Sequence, residues 1–201
     1  MALNHAYVMT GGIATGKSTV CSLLKIYGFC VIDADRVAKE ELENSKEPLR
    51  EMFGNNIFNG LEIDRKKLAN IIFSSPTQRE KLNALIHPKV KVEINRQAKL
   101  KEKFEHPYIM DIPLFFESGD YECKMSMVVY TPKNIQLNRL INREGLSSEE
   151  ALKRINAQID IDKKKKMANW VIDNSLNLKH LQTQVEKFVD YIRGQYANIK
   201  I

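Results

Sequence analysis

Residues 9–20, with the sequence MTGGIATGKSTV, contain the side chains best suited to chemistry. The pattern G-x-x-x-x-G-K-[ST] is met by Gly11, Gly16, Lys17 and Ser18. Glycines let backbone N–H groups approach phosphate oxygens closely, and the N-terminus of a following helix adds partial positive charge. Lys17 can reach the β- and γ-phosphates, and the hydroxyl of Ser18 can bind Mg²⁺. Because an apolar run precedes the pattern and a helical one follows it, the stretch predicts a site for a nucleoside triphosphate.

Two carboxylates, Asp33 and Asp35, follow a second apolar run in the sequence VIDADRVAKE at 31–40. The ligands of α/β sheets bind at the carboxyl ends of the strands, which is where we expect these two residues. They can hold Mg²⁺, directly or through water, and one of them can accept the proton of a substrate hydroxyl. The alternative is that one of them only caps the next helix.

A third acidic residue, Asp111, lies near the end of the apolar run in YIMDIPLFFESG at 108–119. A carboxylate at a strand end beside a phosphate site suits a link to a metal ion, so we predict that role. The apolar residues 113–116 suit a wall for an aromatic or pantetheine-like ligand, and they suit the protein core equally well.

Arg139 and Arg143 are four residues apart, so they share one face of a predicted helix, and Arg154 follows on the next helix. Arginines on a helical hairpin can close over a triphosphate and stabilise the charge that is transferred. The alternative is that each arginine only covers a solvated surface. The lysine run at 163–166 is predicted mainly as a solvated helix face, with contact to phosphate as the alternative.

A loop of this kind occurs in GTPases, in ATPase motors and in small-molecule kinases, and the residues described above distinguish these three classes. The sequence N-K-x-D, with which GTPases recognise guanine, does not occur in the 201 residues. A chain of this length also leaves little room for the machinery of an ATPase motor. The carboxylates and arginines therefore favour a small-molecule kinase, and nucleosides, nucleotides and shikimate-like compounds are all possible acceptors.

The elements that must position these residues are predicted from five apolar runs rich in β-branched and aromatic side chains. Runs that do not alternate with polar residues are typical of strands buried on both faces of a parallel sheet. Segments with helical patterning lie between most of them, which predicts an α/β fold. The runs are residues 6–10, 29–33, 108–112, 127–131 and 170–173.

Capping residues mark several helix boundaries. The sequences Ser-Pro-Thr-Gln at 75–78 and Ser-Ser-Glu-Glu at 147–150 predict helix starts with capping boxes. Another helix is predicted to open at Thr-Pro 131–132 and to end at Gly145. The long gap from about 34 to 106 has helical patterning and no convincing strand, so it predicts an inserted helical subdomain that covers part of a site.

The composition limits the partners. A net charge of +6 and a pI near 9.1 suit a polyanion, either a phosphorylated small molecule or nucleic acid. A nucleotide-dependent switch that contacts nucleic acid through the basic stretch 89–103 is the alternative from a different class, although those basic residues are spread round a predicted helix. Three scattered cysteines predict reduced thiols in the cytoplasm, four separated histidines lack metal-ligand spacing, and no apolar run is long enough for a transmembrane helix.

Taken in order, the motifs resemble the dephospho-CoA kinase family over nearly the whole chain. The matching sequences are TGGIATGKSTV, VIDADRVAKE, IDRKKLANIIF, LNALIHPKV, DIPLFFESG, QLNRLINREG, RINAQ and VIDNS. The resemblance implies an α/β P-loop NTPase fold, with a five-stranded parallel sheet flanked by helices, a helical substrate-binding insertion and a helical lid. It implies transfer of the γ-phosphoryl group of ATP, with Mg²⁺, to the 3′-hydroxyl of dephospho-CoA, the last step of coenzyme A biosynthesis.

The resemblance also implies roles for individual residues. Asp35 is expected to orient or deprotonate the acceptor hydroxyl, and Asp33 is expected nearby on the acceptor side. Catalysis is further expected to use Lys17, Arg139 and Arg143. The expected contacts to ATP are Gly12, Ile13, Ala14, Thr15, Gly16, Lys17, Ser18, Thr19 and Asn174, with Ser18 also on the metal. The expected contacts to the acceptor, besides Asp33, are Arg65, His87, Pro113, Leu114, Phe115 and Glu117.

The implied nucleotide-binding core covers 1–35 and 105–201, with the lid at about 136–160, and the implied acceptor-binding subdomain covers 36–104. The implied partners are ATP and dephospho-CoA, without nucleic acid or membrane, for a monomer or small homo-oligomer in the cytoplasm. The loop departs from the family at Ala14 and Thr15, where Gly-Ile-Ala-Thr-Gly replaces the common Gly-Ile-Gly-Ser-Gly. Ala14 therefore adds a methyl group where a positive φ is expected.

Overall fold

The computed structural model describes residues 3–196. The strands in this part of the chain are β1 (Ala6–Gly11), β2 (Cys30–Asp33), β3 (Phe58–Asn59), β4 (Glu62–Ile63), β5 (Tyr108–Asp111), β6 (Met125–Tyr130) and β7 (Trp170–Asp173). The helices are α1 (Lys17–Ile26), α2 (Ala34–Glu43), α3 (Lys46–Phe53), α4 (Arg65–Ser74), α5 (Pro76–Glu102), α6 (Phe115–Ser118), α7 (Lys133–Glu144), α8 (Ser148–Asn156), α9 (Ile161–Met167) and α10 (Leu178–Gln195), with a 3₁₀ turn at Asn55–Ile57.

Five strands form one sheet in the order β2-β5-β1-β6-β7. Every neighbouring pair is parallel, and Val8 of β1 lies opposite Met110 of β5 and Ser126 of β6. All six residues of β1 are buried, as a central strand covered on both faces requires. Each predicted apolar run overlaps one of the five strands, so the predicted α/β fold with a five-stranded parallel sheet is confirmed.

One large hydrophobic cluster of the core lies between the sheet and the helices α1 and α10. Leu24 of α1 and Phe188 of α10 are fully buried in one hydrophobic cluster with Tyr7 of β1. The ring of Trp170 in β7 packs on that of Phe188, with 5.6 Å between the centroids. This apolar packing holds α1 against the sheet, and it therefore fixes the position at which the glycine-rich loop enters α1.

Most of the predicted helix boundaries agree with the structure. The capping box at 147–150 is complete, and Gly145 ends α7 in the left-handed conformation with φ 66°. At the start of α5, the backbone N–H of Gln78 donates to Ser75 Oγ over 3.4 Å. The side-chain Oε1 of Gln78 is buried without a hydrogen-bond partner among the described residues. The reciprocal half of this predicted capping box is therefore wrong.

Residues Ala34–Gln97 form a compact unit of their own, and the rest of the described chain forms another. The unit 34–97 is mainly helical, as its patterning predicts, but it also contains the antiparallel pair β3–β4, with Phe58 opposite Ile63. The expectation of no strand here is wrong, because two residues per strand are too few to show the alternation that predicts one.

The predicted domain boundaries, 1–35 with 105–201 for the core and 36–104 for the acceptor subdomain, stay predictions. Residues 1–2 and 197–201 of the predicted core lie outside the described residues. Between residues 3 and 196, no helix is both long enough and apolar enough to cross a membrane.

Candidate active site

The glycine-rich loop joins β1 to α1 and leaves the first N–H groups of α1 without a side-chain cap. Gly16 precedes α1 with φ 88°, in the left-handed region. Ala14 has φ 59°, so the positive φ expected at this alanine is present. The hydroxyl of Thr15 donates to the carbonyl of Gly12 over 2.9 Å, which closes the loop on itself. Uncapped N–H groups at a helix N-terminus form a site for an anion such as phosphate.

Close packing explains the glycine at position 16. A Cβ built on Gly16 would lie 2.1 Å from Nδ2 of Asn174, in addition to the strain of its positive φ. That amide is buried and donates to the carbonyl of Thr15 over 2.8 Å, so it cannot turn aside without losing a hydrogen bond. Any side chain at position 16 would therefore displace the loop.

Lys17 and Asp111 form an ion pair with 2.5 Å between Nζ and Oδ1. Both side chains are largely shielded from solvent, at 17% and 8% exposed. Asp111 ends β5 and is the register partner of Asp33 at the end of β2, so two carboxylates lie side by side at the carboxyl edge of the sheet. The structure thus brings together the predicted lysine and the two acidic strand ends beside the loop.

The described residues contain no group of three or more His, Cys, Asp or Glu side chains that could hold a metal ion. The oxygen donors near the loop are the hydroxyl of Ser18 at the start of α1 and the carboxylates of Asp33 and Asp111. A sparse set of oxygen donors fits Mg²⁺, which keeps several waters and takes further ligands from substrate phosphates.

Cys21 lies one helical turn after Lys17, and its thiol is buried. Burial raises the pKa of this thiol, and the nearby carboxylate of Asp111 raises it further. A cysteine with a raised pKa stays a protonated thiol at neutral pH and makes a poor nucleophile. Cys21 is therefore a core residue and not part of the chemistry.

Arg139 reaches the back of the loop. Its Nη2 donates to the carbonyl of Asn174 over 3.0 Å, and its Nη1 donates to the hydroxyl of Thr131 over 3.3 Å. Thr131 in turn donates to the carbonyl of Thr15 over 3.1 Å. The side-chain amide of Asn174 already binds Thr15, so its predicted contact to ATP stays a prediction.

Arg143 does not contact the loop, although it lies on the same helix as Arg139. It is exposed, and its Nη2 donates to Glu144 Oε1 over 2.6 Å. Arg154 donates to the other oxygen of Glu144 over 2.5 Å. The hydrogen bond from Arg143 is the main reason that the pKa of Glu144 is lowered. Of the two predicted catalytic arginines, the structure brings only Arg139 to the loop.

Lys164 departs most clearly from its predicted environment. The lysine run 163–166 is predicted as a solvated face, and the other three lysines are exposed, but Lys164 is fully buried. Its Nζ donates to the carbonyl of Gly11 over 3.0 Å and pairs with Oε1 of Glu117 over 2.7 Å. The prediction is wrong at this position because α9, a helix of seven residues packed against β6, turns one of the four lysines inward.

Gln158 is a second contact that the sequence does not reveal. Its Oε1 accepts the backbone N–H of Ile13 over 2.9 Å, so this N–H is already hydrogen-bonded in the structure. A cavity of about 540 Å³ lies beside it and is lined by Gly12, Gln136 and residues of 155–167. Contacts of this kind join residues more than a hundred positions apart, so no local sequence pattern predicts them.

The residues predicted on the acceptor side fall into both units. After β5, the carbonyl of Pro113 accepts the hydroxyl of Thr10 over 2.9 Å, Leu114 is exposed, and Phe115 begins α6. Glu117 uses Oε1 for Lys164 and for the N–H of Ile159, while its Oε2 is buried without a hydrogen-bond partner among the described residues.

In the unit 34–97, Asp35 lies exposed in the first turn of α2. Arg65 forms an exposed ion pair with Glu43 over 3.0 Å. His87 is exposed on α5, which continues through Pro88 as one helix. The structure leaves these three predicted side chains open to solvent, and their roles stay predictions.

Comparison with known proteins gives a consistent result. A family model described as dephospho-CoA kinase matches residues 6–180. A dephospho-CoA kinase from Sulfurimonas denitrificans is 49% identical over 200 residues and covers 100% of both chains. Among solved structures, the protein TT1252 from Thermus thermophilus is 33% identical with a TM-score of 0.78, covering 93% of this chain and 97% of its own. The dephospho-CoA kinase from Campylobacter jejuni is 31% identical with a TM-score of 0.73, covering 95% and 98%.

Proposed function

The chain belongs to the dephospho-CoA kinase family, and from this membership we infer that it phosphorylates dephospho-CoA with ATP in coenzyme A biosynthesis. The resemblance that the ordered motifs indicate is thereby confirmed. The structural observation that supports this function best is the glycine-rich loop before the uncapped N-terminus of α1, together with the ion pair of Lys17 and Asp111 beside it.

ATP would bind with its phosphates on the loop. The other backbone N–H groups of residues 12–19, at the N-terminus of α1, would supply the donors. The exceptions are the N–H groups of Ile13, Thr15 and Thr19, which already donate to Gln158, to the carbonyl of Gly12 and to the carbonyl of Gly16. Lys17 would leave Asp111 for the β- and γ-phosphates, because two phosphate groups carry more negative charge than one carboxylate. Asn174 would support the nucleotide side of the loop through Thr15.

Mg²⁺ would be held by the hydroxyl of Ser18, with Asp33 or Asp111 linked to it directly or through water. When bound, it would neutralise charge on the β- and γ-phosphates. The protein's own contribution is to hold the carboxylates of Asp33 and Asp111 side by side at the ends of two buried, paired strands.

The transfer step is a direct in-line displacement onto the 3′-hydroxyl of dephospho-CoA. A bond forms between that oxygen and the γ-phosphorus, the bond from the γ-phosphorus to the bridging oxygen breaks, and ADP leaves. Asp35 would orient the hydroxyl and take its proton, with Asp33 assisting. Because such transition states are loose, positioning and charge neutralisation supply most of the catalysis, and the proton is transferred late.

The arginines would supply positive charge from the lid side. Arg139 already lies behind the loop, whereas Arg143 would have to leave Glu144 to reach a triphosphate. Closure of the hairpin α7–α8 would exclude water and so protect ATP from hydrolysis. Arg65, His87, Pro113, Leu114, Phe115 and Glu117 would line the acceptor side, with 36–104 as the acceptor-binding subdomain. We place the protein in the cytoplasm as a monomer or small homo-oligomer.

The experiment is steady-state release of ADP from Mg-ATP by the purified full chain. Dephospho-CoA would be compared with AMP, adenosine, shikimate and no acceptor. We expect strong stimulation by dephospho-CoA alone, with coenzyme A identified as the product by mass spectrometry and the phosphate located on the 3′-oxygen by phosphorus NMR. Stimulation by another acceptor, or by none, would contradict the proposed substrate.

A further inference from the structure

Lys164 is a buried cation whose contacts all point to the phosphate loop and its support. None of its surface is exposed, and its two polar contacts are the carbonyl of Gly11 and the carboxylate of Glu117. Burial of an ammonium group is costly unless the group is both paired and hydrogen-bonded. The chain retains this charge in its core, which calls for a reason beyond packing.

The geometry of the peptide bond supplies a reason. Gly11 is the last residue of β1, and the next peptide unit joins its carbonyl to the N–H of Gly12. Because a peptide unit is planar and trans, the C=O and the N–H point in opposite directions. A group that fixes the carbonyl of Gly11 on one side therefore fixes the N–H of Gly12 towards the other side.

Two side chains act on neighbouring peptide units of the same turn. Lys164 binds the carbonyl of Gly11 over 3.0 Å, and Gln158 accepts the N–H of Ile13 over 2.9 Å. The segment that carries them is itself anchored, since Glu117 accepts both Lys164 Nζ and the N–H of Ile159 through Oε1. The segment that follows the hairpin α7–α8 therefore holds the loop through Gln158 and Lys164.

We infer that Lys164 is a positioning residue that orients the first phosphate-binding peptide of the loop, with Glu117 holding its ammonium group in place. The inference rests on the proposed function, because it names the side chain that sets nucleotide affinity at that same site. It gives Glu117 a role in the support of the loop, in addition to the place on the acceptor side proposed above. The competing interpretation is a charge pair that only stabilises the fold.

The test compares ATP affinity with folding stability in four full-length proteins. Lys164→Met removes the charge and the hydrogen bond to Gly11 but keeps an unbranched apolar chain. The change Lys164→Met alone leaves the carboxylate of Glu117 without its cation. The double variant Lys164→Met/Glu117→Gln replaces that carboxylate by a neutral amide. Lys166→Met is the matched control, because Lys166 lies on the same helix and is exposed. Affinity for ATP is measured by calorimetry, stability by thermal unfolding, and kcat and KM for each substrate by ADP release.

We expect Lys164→Met to weaken ATP binding about tenfold or more and to raise the KM for ATP, with a smaller change in the KM for dephospho-CoA. The double variant should recover thermal stability, because replacement of a whole buried ion pair is tolerated, but it should not recover ATP affinity. That split would support the inference even if Lys164→Met alone fails to fold. Lys166→Met should match the wild type.

Two other outcomes have different meanings. Wild-type affinity for ATP in the double variant would overturn the positioning role and leave the proposed function intact. Failure of the wild-type protein to bind ATP at all would overturn the proposed function, and the inference would fall with it.

Discussion

Lys17 and Asp111 are joined by an ion pair of 2.5 Å, which ties the first residue of α1 to the last residue of β5. The pair holds the amino group of Lys17 beside the loop in a partly shielded place. In the proposed function, an incoming triphosphate would meet a lysine that is already positioned and would replace its one carboxylate partner by two phosphates. The carboxylate of Asp111 would then be released beside the proposed metal ion.

Replacement of Lys17 should stop transfer. We expect Lys17→Ala to lower kcat/KM by at least about 10²–10³-fold, because the removed cation faces the charge that develops on the transferred group. Lys25→Ala is the matched control, since Lys25 lies exposed in the last turn of the same helix. Steady-state kinetics at saturating dephospho-CoA measures both. Equal losses in the two variants would contradict the assignment.

Asp35 should act on the chemical step and not on ATP binding. We expect Asp35→Asn to lower kcat by about 10²–10⁴-fold, the usual range for loss of a general base. Calorimetry should show unchanged affinity for ATP. Glu40→Gln, which changes an exposed carboxylate on the same helix, should have wild-type kinetics. Near-normal turnover in Asp35→Asn would show that the hydroxyl is oriented by another group.

The two arginines of α7, Arg139 and Arg143, should differ in their effects. Arg139→Ala removes donors to the carbonyl of Asn174 and the hydroxyl of Thr131, so it should lower the free energy of unfolding by about 1–3 kcal/mol and also lower activity. Arg143→Ala breaks an exposed pair with Glu144, so it should leave the urea midpoint unchanged and lower kcat alone. Urea unfolding and steady-state kinetics separate the two outcomes. A stability loss in Arg143→Ala would contradict this expectation, because it would show that the exposed pair with Glu144 stabilises the fold.

A methyl group at position 16 should damage the loop. Gly16→Ala adds a Cβ only 2.1 Å from Nδ2 of Asn174 and forces alanine into φ 88°, which costs about 1–2 kcal/mol by itself. We expect loss of ATP binding and a lower unfolding temperature. Gly194→Ala is the opposite control, because Gly194 lies in α10 with open space around its Cβ. This variant should have a free energy of unfolding up to about 1 kcal/mol higher than the wild type. The expectation fails if the two variants have the same ATP affinity.

The stability of the protein should fall in acid through Glu102. Burial alone would raise the pKa of this carboxyl, but hydrogen bonds from the ring and backbone of His5 and from the hydroxyl of Tyr108 outweigh it, so the pKa is lowered. A folded-state pKa below the unfolded value of about 4.3 gives stability that is present above that value and lost as the pH falls through the folded pKa.

Urea unfolding between pH 7 and pH 3 should therefore show a decline below about pH 4 that is weaker in Glu102→Gln. The variant should also be less stable than the wild type at pH 7, because its neutral amide cannot accept the same charge-assisted hydrogen bonds. Glu80→Gln, at an exposed position, serves as the control. An identical pH profile in wild type and Glu102→Gln would contradict this source of acid sensitivity.

The sequence predicts the fold and the phosphate-binding loop better than it predicts the side chains that support the loop. The strands are predicted because burial on both faces leaves apolar runs. The loop is predicted because phosphate binding fixes the residue types at Gly11, Gly16, Lys17 and Ser18 with a constant spacing. Asp111 and Lys17 come together because the carboxyl ends of parallel strands meet at one edge. These are local or periodic constraints, which a sequence displays.

The supports of the loop could not be predicted in the same way. Lys164 has three lysine neighbours in the sequence, and only the orientation of α9 decides which of the four is buried. Gln158 and Thr131 are common polar residues in unremarkable contexts. Their roles arise from packing between elements far apart in the chain, so no spacing or periodicity marks them.

The separation of these supports has a consequence during protein synthesis. The loop occupies residues 11–18, yet its backbone is bonded to side chains 116, 145, 153 and 159 residues further on, at Thr131, Gln158, Lys164 and Asn174. A ribosome makes the loop first and its supports last, at about 5–20 residues per second. A nascent chain therefore carries the loop for several seconds before these four hydrogen bonds can form, and the last of them must wait until residue 174 has been made.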